Sequence, residues 1–204
     1  MRLEPTTLTG RHVQLEPLDP SHTDELVAAA NRDRATYTHT NVPHTHEAMA
    51  HYIDTLLAAA EAGTDLPFVQ RRLADGALVG CTRYLNVLWW AGRPTPPEVE
   101  IGGTWLSADA QRTPINTEAK LLLLTYAFDT LHVFRVAICT DAANARSRAA
   151  IERIGGTLEG ILRNHRLSMG SEGSIGRARD TAVYSITDEE WPSVGARLRE
   201  RLGG

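Results

Sequence analysis

The hydrophobic positions along the chain follow two periods, one typical of strands and one typical of helices. Residues 12–18 alternate apolar and polar side chains, which predicts a half-buried strand. Three more segments are rich in apolar, β-branched and aromatic residues and predict strands: 66–74, 77–90 and 98–107. The Asp75-Gly76 pair between the first two of these is typical of a hairpin turn, so those strands are expected to be neighbours.

Helical periodicity is strongest in two long segments. In residues 45–63 the apolar side chains recur every three or four positions, and Gly63 can end the helix. Residues 116–132 carry an apolar stripe wide enough to predict burial on much of the helix surface, with Asn116 or Thr117 as the N-cap. Shorter helices are predicted at 19–31, where Ser21 is the candidate N-cap, and at 144–156 and 187–202.

The order of the elements predicts the fold class. The helix at 116–132 lies between the strand at 98–107 and a buried strand at 134–142, which favours a parallel pair. The other strands, including 157–167 and 179–186 on either side of a Gly/Ser-rich loop, favour antiparallel pairing. We therefore expect an α/β (α+β) fold with a mixed, mostly antiparallel sheet. No linker or repeat divides the chain, which predicts one domain over 1–204.

Composition and charge exclude several classes of function. With 204 residues, of which 42% are hydrophobic and 23% charged, the chain fits one soluble domain. The formal net charge is −4 and there is no basic run, so no nucleic-acid partner is expected. No apolar run approaches the roughly 20 residues of a membrane span, and the N-terminus lacks the apolar core of a signal peptide. We expect a cytoplasmic protein with no membrane partner.

The metal-binding and thiol residues do not form a recognisable site. Cys81 and Cys139 lie in strand-like segments, so we expect buried structural thiols and not a disulfide or a nucleophile. Four histidines fall within one short segment, but no cysteine or carboxylate group completes a metal site; they are His39, His44, His46 and His51. No bound metal is therefore predicted.

Two loop-to-helix junctions carry candidate binding chemistry. In "QRTPINTEAK", residues 111–120, a helix start offers unpaired N–H groups to an anion, and Arg112 adds a charged donor. In "TDAANARSRAAIERIGG", Asn144 and Ser147 lie three residues apart and would face the same side of a helix. An asparagine can pair with a ligand amide, and a serine can donate to a thiolate. The alternative for both junctions is ordinary helix capping and packing.

Taken together, these motifs resemble the GNAT acyltransferases, specifically the RimJ/RimL-type N-acetyltransferases that use acetyl-CoA. The resemblance rests on "EIGGTWLS", "QRTPINTEAKLLLL", "RVAICTDAANARSRAAIERIGGTLEGILR" and the closing "EEWP". It implies the GNAT fold, with helices on both faces of the sheet and a splayed parallel strand pair that admits the pantetheine arm. It also implies a cofactor site formed by Trp105, Leu106, Ser107, Arg112, Thr113, Ile115, Asn116, Thr117, Asn144 and Ser147.

The sequence departs from the family pattern at two places. Pro114 and Asn116 occupy the positions where the pyrophosphate loop usually has glycine, and proline has no N–H to donate. Ile151 stands where many members have a tyrosine that acts as general acid. Ser147, or else water, would then protonate the departing thiolate.

A neutral amine must attack the thioester, so a carboxylate is needed to remove its proton. Glu100 matches the family's "E-I-G" position and is the first candidate base, with Glu98 second because it shares the same strand face. The alternative is that both are exposed strand residues. Backbone N–H groups of 105–107 would bind the thioester carbonyl.

The acceptor stays open at this level. A protein N-terminus, a small amine, an amino acid or an antibiotic would each fit, and the pocket would come from residues 32–44, 83–97 and 165–178. A homodimer is compatible with the sequence. The rival functions are a catalytically impaired acyl-CoA-binding module and the same fold acting on a longer acyl-CoA or a carrier-protein thioester.

Overall fold

The protein forms an eight-stranded mixed sheet, in the order β1-β2-β3-β4-β5-β6-β8-β7. The computed structural model describes residues 1–168 and 176–203, so most of the predicted Gly/Ser-rich loop at 168–178 lies outside the described residues. The strands are β1 Leu8–Thr9, β2 Val13–Pro17, β3 Leu66–Arg72, β4 Leu78–Leu88, β5 Glu98–Leu106, β6 Arg135–Asp141, β7 Thr157–Leu167 and β8 Ala178–Thr187. Only the β5–β6 pair is parallel among these strands.

Helices cover both faces of the sheet, as the resemblance implied. They are α1 Thr23–Ala30, α2 His46–Glu61, α3 Pro114–Thr125, α4 Ala145–Arg153 and α5 Trp191–Arg201, and α3 continues into a π turn at Tyr126–Thr130. α1 and α2 bury Leu26, Met49 and Ile53 against one face. α3 and α5 bury residues such as Leu123 and Leu198 against the other face. The predicted fold class is thus confirmed.

Helix starts are where the structure differs from the prediction. Asp19, and not Ser21, accepts the capping hydrogen bond before α1, at the start of a 3-10 turn. The N-cap of α3 lies three or four residues earlier than expected, because the Thr113 side chain caps the helix and Pro114 takes its first position. Proline is favoured there, since its φ suits a helix and its missing N–H has no partner within the helix.

A buried carboxylate ties the start of α3 to the N-terminal strands. Glu118 accepts hydrogen bonds from the backbone N–H groups of Arg11, His12 and Val13, at 2.9, 2.6 and 2.9 Å. Gly10 is needed at this turn, because a Cβ atom there would lie 2.5 Å from the Glu118 carboxyl group. The contact fixes α3 across the sheet and so positions the loop that precedes it.

The parallel pair opens partway along its length. β5 and β6 are paired only from Glu98–Arg135 to Glu100–Ala137. Beyond that point β5 continues to Leu106 beside β4, while β6 continues to Asp141 beside β8. The two strands therefore separate after Glu100 and leave a gap between their unpaired edges.

Candidate active site

The backbone of β5 presents one residue of the 105–107 segment to the gap. The N–H of Ser107 donates to the Val79 carbonyl oxygen at 2.7 Å, so it belongs to the sheet and is not available to a ligand. Because successive residues of a strand point their backbone groups to opposite edges, Leu106 faces the gap. Its carbonyl oxygen accepts from the Tyr37 hydroxyl at 3.2 Å and from Gln111 Nε2 at 3.0 Å. Leu106 N–H is then the donor in this segment that can reach a ligand.

The loop before α3 offers fewer donors than the sequence suggested. With Pro114 as the first helical residue, the Thr117 N–H falls inside the helix, where the Thr113 carbonyl accepts it. The Ile115 N–H makes only a long contact of 3.4 Å to Thr113 Oγ1. The exposed Arg112 adopts a left-handed φ of 60°, which turns the chain into the helix. The donors suited to an anion are those of Thr113, Ile115 and Asn116, together with the Arg112 guanidinium.

The start of α4 faces the same gap from the β6 side. Asn144 caps this helix, since its Oδ1 accepts from the Ser147 N–H at 3.0 Å, which leaves its amide NH₂ free to donate elsewhere. Arg146, which the sequence did not single out, spans the outer end of the gap. It donates to Gln111 Oε1 at 3.3 Å and to the Thr36 carbonyl oxygen at 3.1 Å. Ile151 is buried, with 6% exposure.

Glu100 lies at the last paired position of the two strands and is 5% exposed. It is therefore not an exposed strand residue. The Arg166 guanidinium donates to both of its oxygens, at 3.0 and 2.7 Å, and Asn86 Nδ2 donates to Oε2 at 2.7 Å. The pKa of Arg166 is raised above its usual value, chiefly by this hydrogen bonding to Glu100. These three hydrogen bonds hold the Glu100 side chain in one orientation.

Irregular backbone brings those two partners to Glu100. The β4–β5 register shifts between Leu85 and Leu88, where Asn86 has a left-handed φ of 50°. The β7–β8 register shifts between Leu162 and Arg166, where Asn164 has a φ of 48°. Asparagine tolerates this conformation better than most residues, and bulges of this kind redirect side chains. Alternation along a strand alone therefore could not have predicted the cluster.

Glu98, the second candidate base, has a different environment. Its Oε1 accepts from Arg135 Nη1 at 2.5 Å, and its side chain is 32% exposed. Arg135 also pairs with Glu159, whose Oε1 accepts from the Ser185 hydroxyl at 2.7 Å. This ladder runs across β5, β6, β7 and β8 on the sheet surface, away from the open part of the gap.

A second buried polar cluster lies under α3. Lys120, the only lysine of the chain, is 6% exposed. Its Nζ donates to Thr104 Oγ1 on β5 at 2.6 Å and to Thr82 Oγ1 on β4 at 3.3 Å, and the two hydroxyls are 2.8 Å apart. Burial lowers the pKa of Lys120 to about 7. Its position one residue after Ala119 and three before Leu123, both buried, is the sequence signal that could have revealed it.

Neither thiol is poised to act as a nucleophile. Burial raises the pKa of Cys81 and of Cys139 to about 12, so both are protonated at neutral pH. Both are free cysteines. Within residues 1–168 and 176–203, no group of three His, Cys, Asp or Glu side chains is arranged to hold a metal ion. Nor does any helix in those ranges have the length and apolar character to cross a membrane.

The expected acceptor side is formed only in part by described residues. Tyr37, from the 32–44 segment, packs edge-on against Trp105 with ring centroids 6.2 Å apart, and burial raises its pKa to about 12. Asn86, from the 83–97 segment, contacts Glu100. The third segment, 165–178, contributes Arg166, but most of it lies outside the described residues.

Comparison with known proteins agrees with this architecture. YdaF of Bacillus subtilis (strain 168), provisionally named a ribosomal N-acetyltransferase, is 34% identical over 119 residues, which are 58% of this chain and 58% of that protein. A GCN5-related N-acetyltransferase from Brucella melitensis superposes with a TM-score of 0.84 at 31% identity, over 100% of this chain and 88% of that one. Mycobacterium smegmatis RimJ, solved in complex with CoA-disulfide, shares the fold, with a TM-score of 0.80 at 24% identity over 98% of this chain and 95% of that chain.

A family model decides the assignment. Residues 12–157 match the model described as the acetyltransferase (GNAT) domain, and this region contains the opened strand pair, Glu100, Lys120 and both helix starts. Because the match covers well over half of the chain, the protein belongs to the GNAT acetyltransferase family.

Proposed function

We propose that the protein is an acetyl-CoA-dependent N-acetyltransferase, which transfers the acetyl group to a primary amine by direct attack in a ternary complex. The observation that carries this proposal is the gap between β5 and β6, with the N-terminus of α3 at its outer end. An extended arm fits between two unpaired strand edges, where it can pair with backbone groups such as those of Leu106. A pyrophosphate fits the donors and partial positive charge of a helix start.

Positive side chains at the outer end of the gap fit the same group. Arg112 lies in the loop and Arg146 crosses from α4, and neither forms an ion pair among the described residues. Both can therefore turn to phosphate oxygens, where charge-assisted hydrogen bonds are strong. Asn144 keeps its NH₂ for the amide region of the arm while its Oδ1 caps α4.

Glu100 is the proposed base. It lies where the strands separate, so an amine that reaches the thioester from the α1–α2 side of the sheet would meet its carboxylate directly or through a water. The acceptor must then compete with the Arg166 guanidinium, which has a side chain 31% exposed and can move aside. Glu98 is the second candidate. Ser147 and water remain the two proton sources that the family pattern suggests for the departing thiolate.

The acceptor classes to compare are a protein N-terminus, a small amine, an amino acid and an antibiotic. The name of YdaF makes a protein N-terminus the first class to test. The panel should hold peptides with a free Ala, Ser or Met N-terminus, spermidine, free amino acids and an aminoglycoside, with thiol release from acetyl-CoA as the readout.

CoA at about 100 times its Kd should stabilise the fold by about 2.7 kcal/mol, which for a chain of this size raises Tm by roughly 5–10 °C. If CoA stabilises the protein but no amine is acetylated, the impaired acyl-CoA-binding module is favoured. If longer acyl-CoAs compete with acetyl-CoA more strongly than acetyl-CoA itself binds, the donor is a longer acyl-CoA.

Replacing Pro114 tests the loop. Pro114→Gly is expected to change CoA affinity less than about fivefold, because one added N–H donor is worth on the order of 1 kcal/mol. It should also lower the free energy of unfolding by about 0.5–1 kcal/mol, since glycine loosens the first helical turn. Calorimetric titration with CoA measures the first effect, and Pro114→Ala is the control that adds the N–H with less flexibility. If both variants lost all CoA binding, Pro114 would be required for binding, and the interpretation that the loop merely tolerates a proline would be wrong.

A further inference from the structure

Lys120 is placed where a charged side chain is costly. It lies between α3 and the sheet, and no ion pair within the described residues includes it. The carboxylate nearest in sequence, Glu118, turns to the β1–β2 backbone. Arg83, on β4, pairs with Asp65 at 2.9 Å, and as the neighbour of Thr82 it points to the other face of the sheet. An apolar residue would fill this place without the desolvation cost of a buried charge, which suggests that the amine has a function.

The contacts of Lys120 lead to the gap. Thr82 is buried, with 1% exposure, whereas Thr104 is partly exposed. Thr104 lies on β5 four residues beyond Glu100, in the part of the strand that β6 no longer covers. A bulge marked by the left-handed Gly103, with a φ of 58°, immediately precedes it. The Thr104 hydroxyl therefore lies between the Lys120 Nζ and the open edge of β5.

We propose that Lys120 and Thr104 form a proton relay that protonates the thiolate of CoA as it departs, in the place of the tyrosine that Ile151 replaces. This inference rests on the proposed function. The acceptor nitrogen forms a bond to the carbonyl carbon and loses one proton to the Glu100 carboxylate, and the carbon–sulfur bond breaks with its electron pair going to sulfur. Sulfur takes the hydroxyl proton of Thr104, and Thr104 takes a proton from the Lys120 ammonium at 2.6 Å. Lys120 is left neutral and regains its proton from solvent before the next turnover.

The ionisation of Lys120 suits this role. A group with a pKa of about 7 is protonated often enough to donate and releases its proton readily, which is what general acid catalysis near neutral pH needs. An unperturbed lysine would hold its proton too firmly. Among the described residues, no proton source of this kind contacts the Ser147 hydroxyl, and the side-chain bond at this position is the one from the Ser147 backbone N–H to Asn144 Oδ1.

A change of leaving group separates acid catalysis from a structural role. A selenol is a stronger acid than a thiol, so its anion leaves without a proton. Lys120→Met is expected to lower kcat about 100-fold with acetyl-CoA but less than about threefold with the acetyl selenoester of the same carrier. Product is measured by mass spectrometry with the fastest amine of the acceptor panel, after subtraction of the uncatalysed reaction. Equal losses with both donors, or no loss with either, would overturn the relay.

Three comparison variants sharpen the result. Thr104→Val should reproduce the donor dependence, and adding it to Lys120→Met should cause little further loss, since both changes break one path. Lys120→Arg keeps the charge but cannot release a proton, so it should not restore turnover. Ser147→Ala should slow both donors alike; if it alone showed the donor dependence, Ser147 would be the acid and the relay would be wrong.

Two measurements do not depend on turnover. CoA affinity by calorimetry should change less than about threefold in Lys120→Met, which would show that the variant folds. Because Lys120 is the only lysine, labelling lysine with ¹³C at the ε carbon gives one NMR signal. In the wild type this signal should titrate near pH 7 and shift when CoA is added, and Thr104→Val should alter both. A Lys120 signal whose chemical shift does not change when CoA is added would overturn the relay. Wild-type protein that neither binds CoA nor transfers acetyl would instead refute the proposed function itself.

Discussion

Replacing Glu100 with glutamine is expected to lower kcat for acetyl transfer by about 100-fold or more, with little change in the affinity for CoA. Glutamine has the same shape but cannot accept the proton of the attacking amine. The phosphate-binding end of the gap, at Arg112 and the start of α3, does not touch Glu100 and should be unaffected. Steady-state kinetics with the best amine of the panel, beside calorimetry with CoA, measure both effects.

The partners of Glu100 make a control necessary. In Glu100→Gln the Arg166 guanidinium loses a charged acceptor, and such hydrogen bonds contribute about 1.5–3 kcal/mol each. Some loss of activity could then come from a displaced β7. Arg166→Gln breaks the same pair from the other side but leaves the carboxylate in place. If Glu100 is the base, this second variant keeps most of its activity, because the amine no longer competes with the guanidinium.

Equal and large losses in both variants would mean that the pair acts as a clamp between β5 and β7. Glu98→Gln then becomes the informative change, since Glu98 is the second candidate base. A large loss of turnover in Glu98→Gln would make Glu98 the base, whereas a loss of stability alone would leave it as a member of the ladder with Arg135.

Much of the fold follows from local sequence pattern. The apolar periodicity of residues 45–63 gives α2 at His46–Glu61, and Gly63 with a φ of 79° follows its end. The helix between two strands gives the parallel β5–β6 pair. The two-residue β1 carries too little pattern to be recognised. The start of α3 was misplaced because asparagine and threonine are good caps, and the choice of Thr113 depends on the proline that follows it.

The site is harder to predict, because its side chains come from distant segments. The motif identifies Glu100 as a candidate. Asn86 and Arg166 reach it only through register shifts, which the sequence pattern does not predict. The availability of backbone donors also depends on strand direction, which is why Leu106 faces the gap and Ser107 does not. Lys120 was visible as a charge on an apolar helix, yet its two threonine partners were not.

Replacing Lys120 with methionine is expected to stabilise the protein at neutral and acidic pH. The pKa of Lys120 is lowered from 10.5 to about 7 in the folded state. Above pH 10.5 the amine is neutral in both states, and its ionisation has no effect on stability. As the pH falls towards 7 the unfolded chain binds the proton first, so wild-type stability falls, by on the order of 5 kcal/mol in all, and below pH 7 this deficit is constant.

Methionine has no such deficit but loses the hydrogen bonds to Thr82 and Thr104, which contribute about 1 kcal/mol each. The variant should therefore be less stable than wild type near pH 10 and more stable, by roughly 3 kcal/mol, at pH 6. Urea unfolding at pH 6, 8 and 10 should show the two stability curves crossing. A difference that does not vary with pH would mean that Lys120 is not buried as a neutral amine.

The same variant links stability to catalysis. If Lys120 only filled space, the more stable Lys120→Met protein would keep its activity. The lysine would then lower the stability of the wild type without any gain in turnover. If the relay is right, Lys120→Met is more stable at pH 6 and yet slower with acetyl-CoA, because the desolvation that weakens the fold also brings the pKa of the amine to neutrality. Stability and turnover would then change in opposite directions in one substitution, a trade-off typical of functional sites. A variant that is both more stable and fully active would leave the buried amine without a catalytic role.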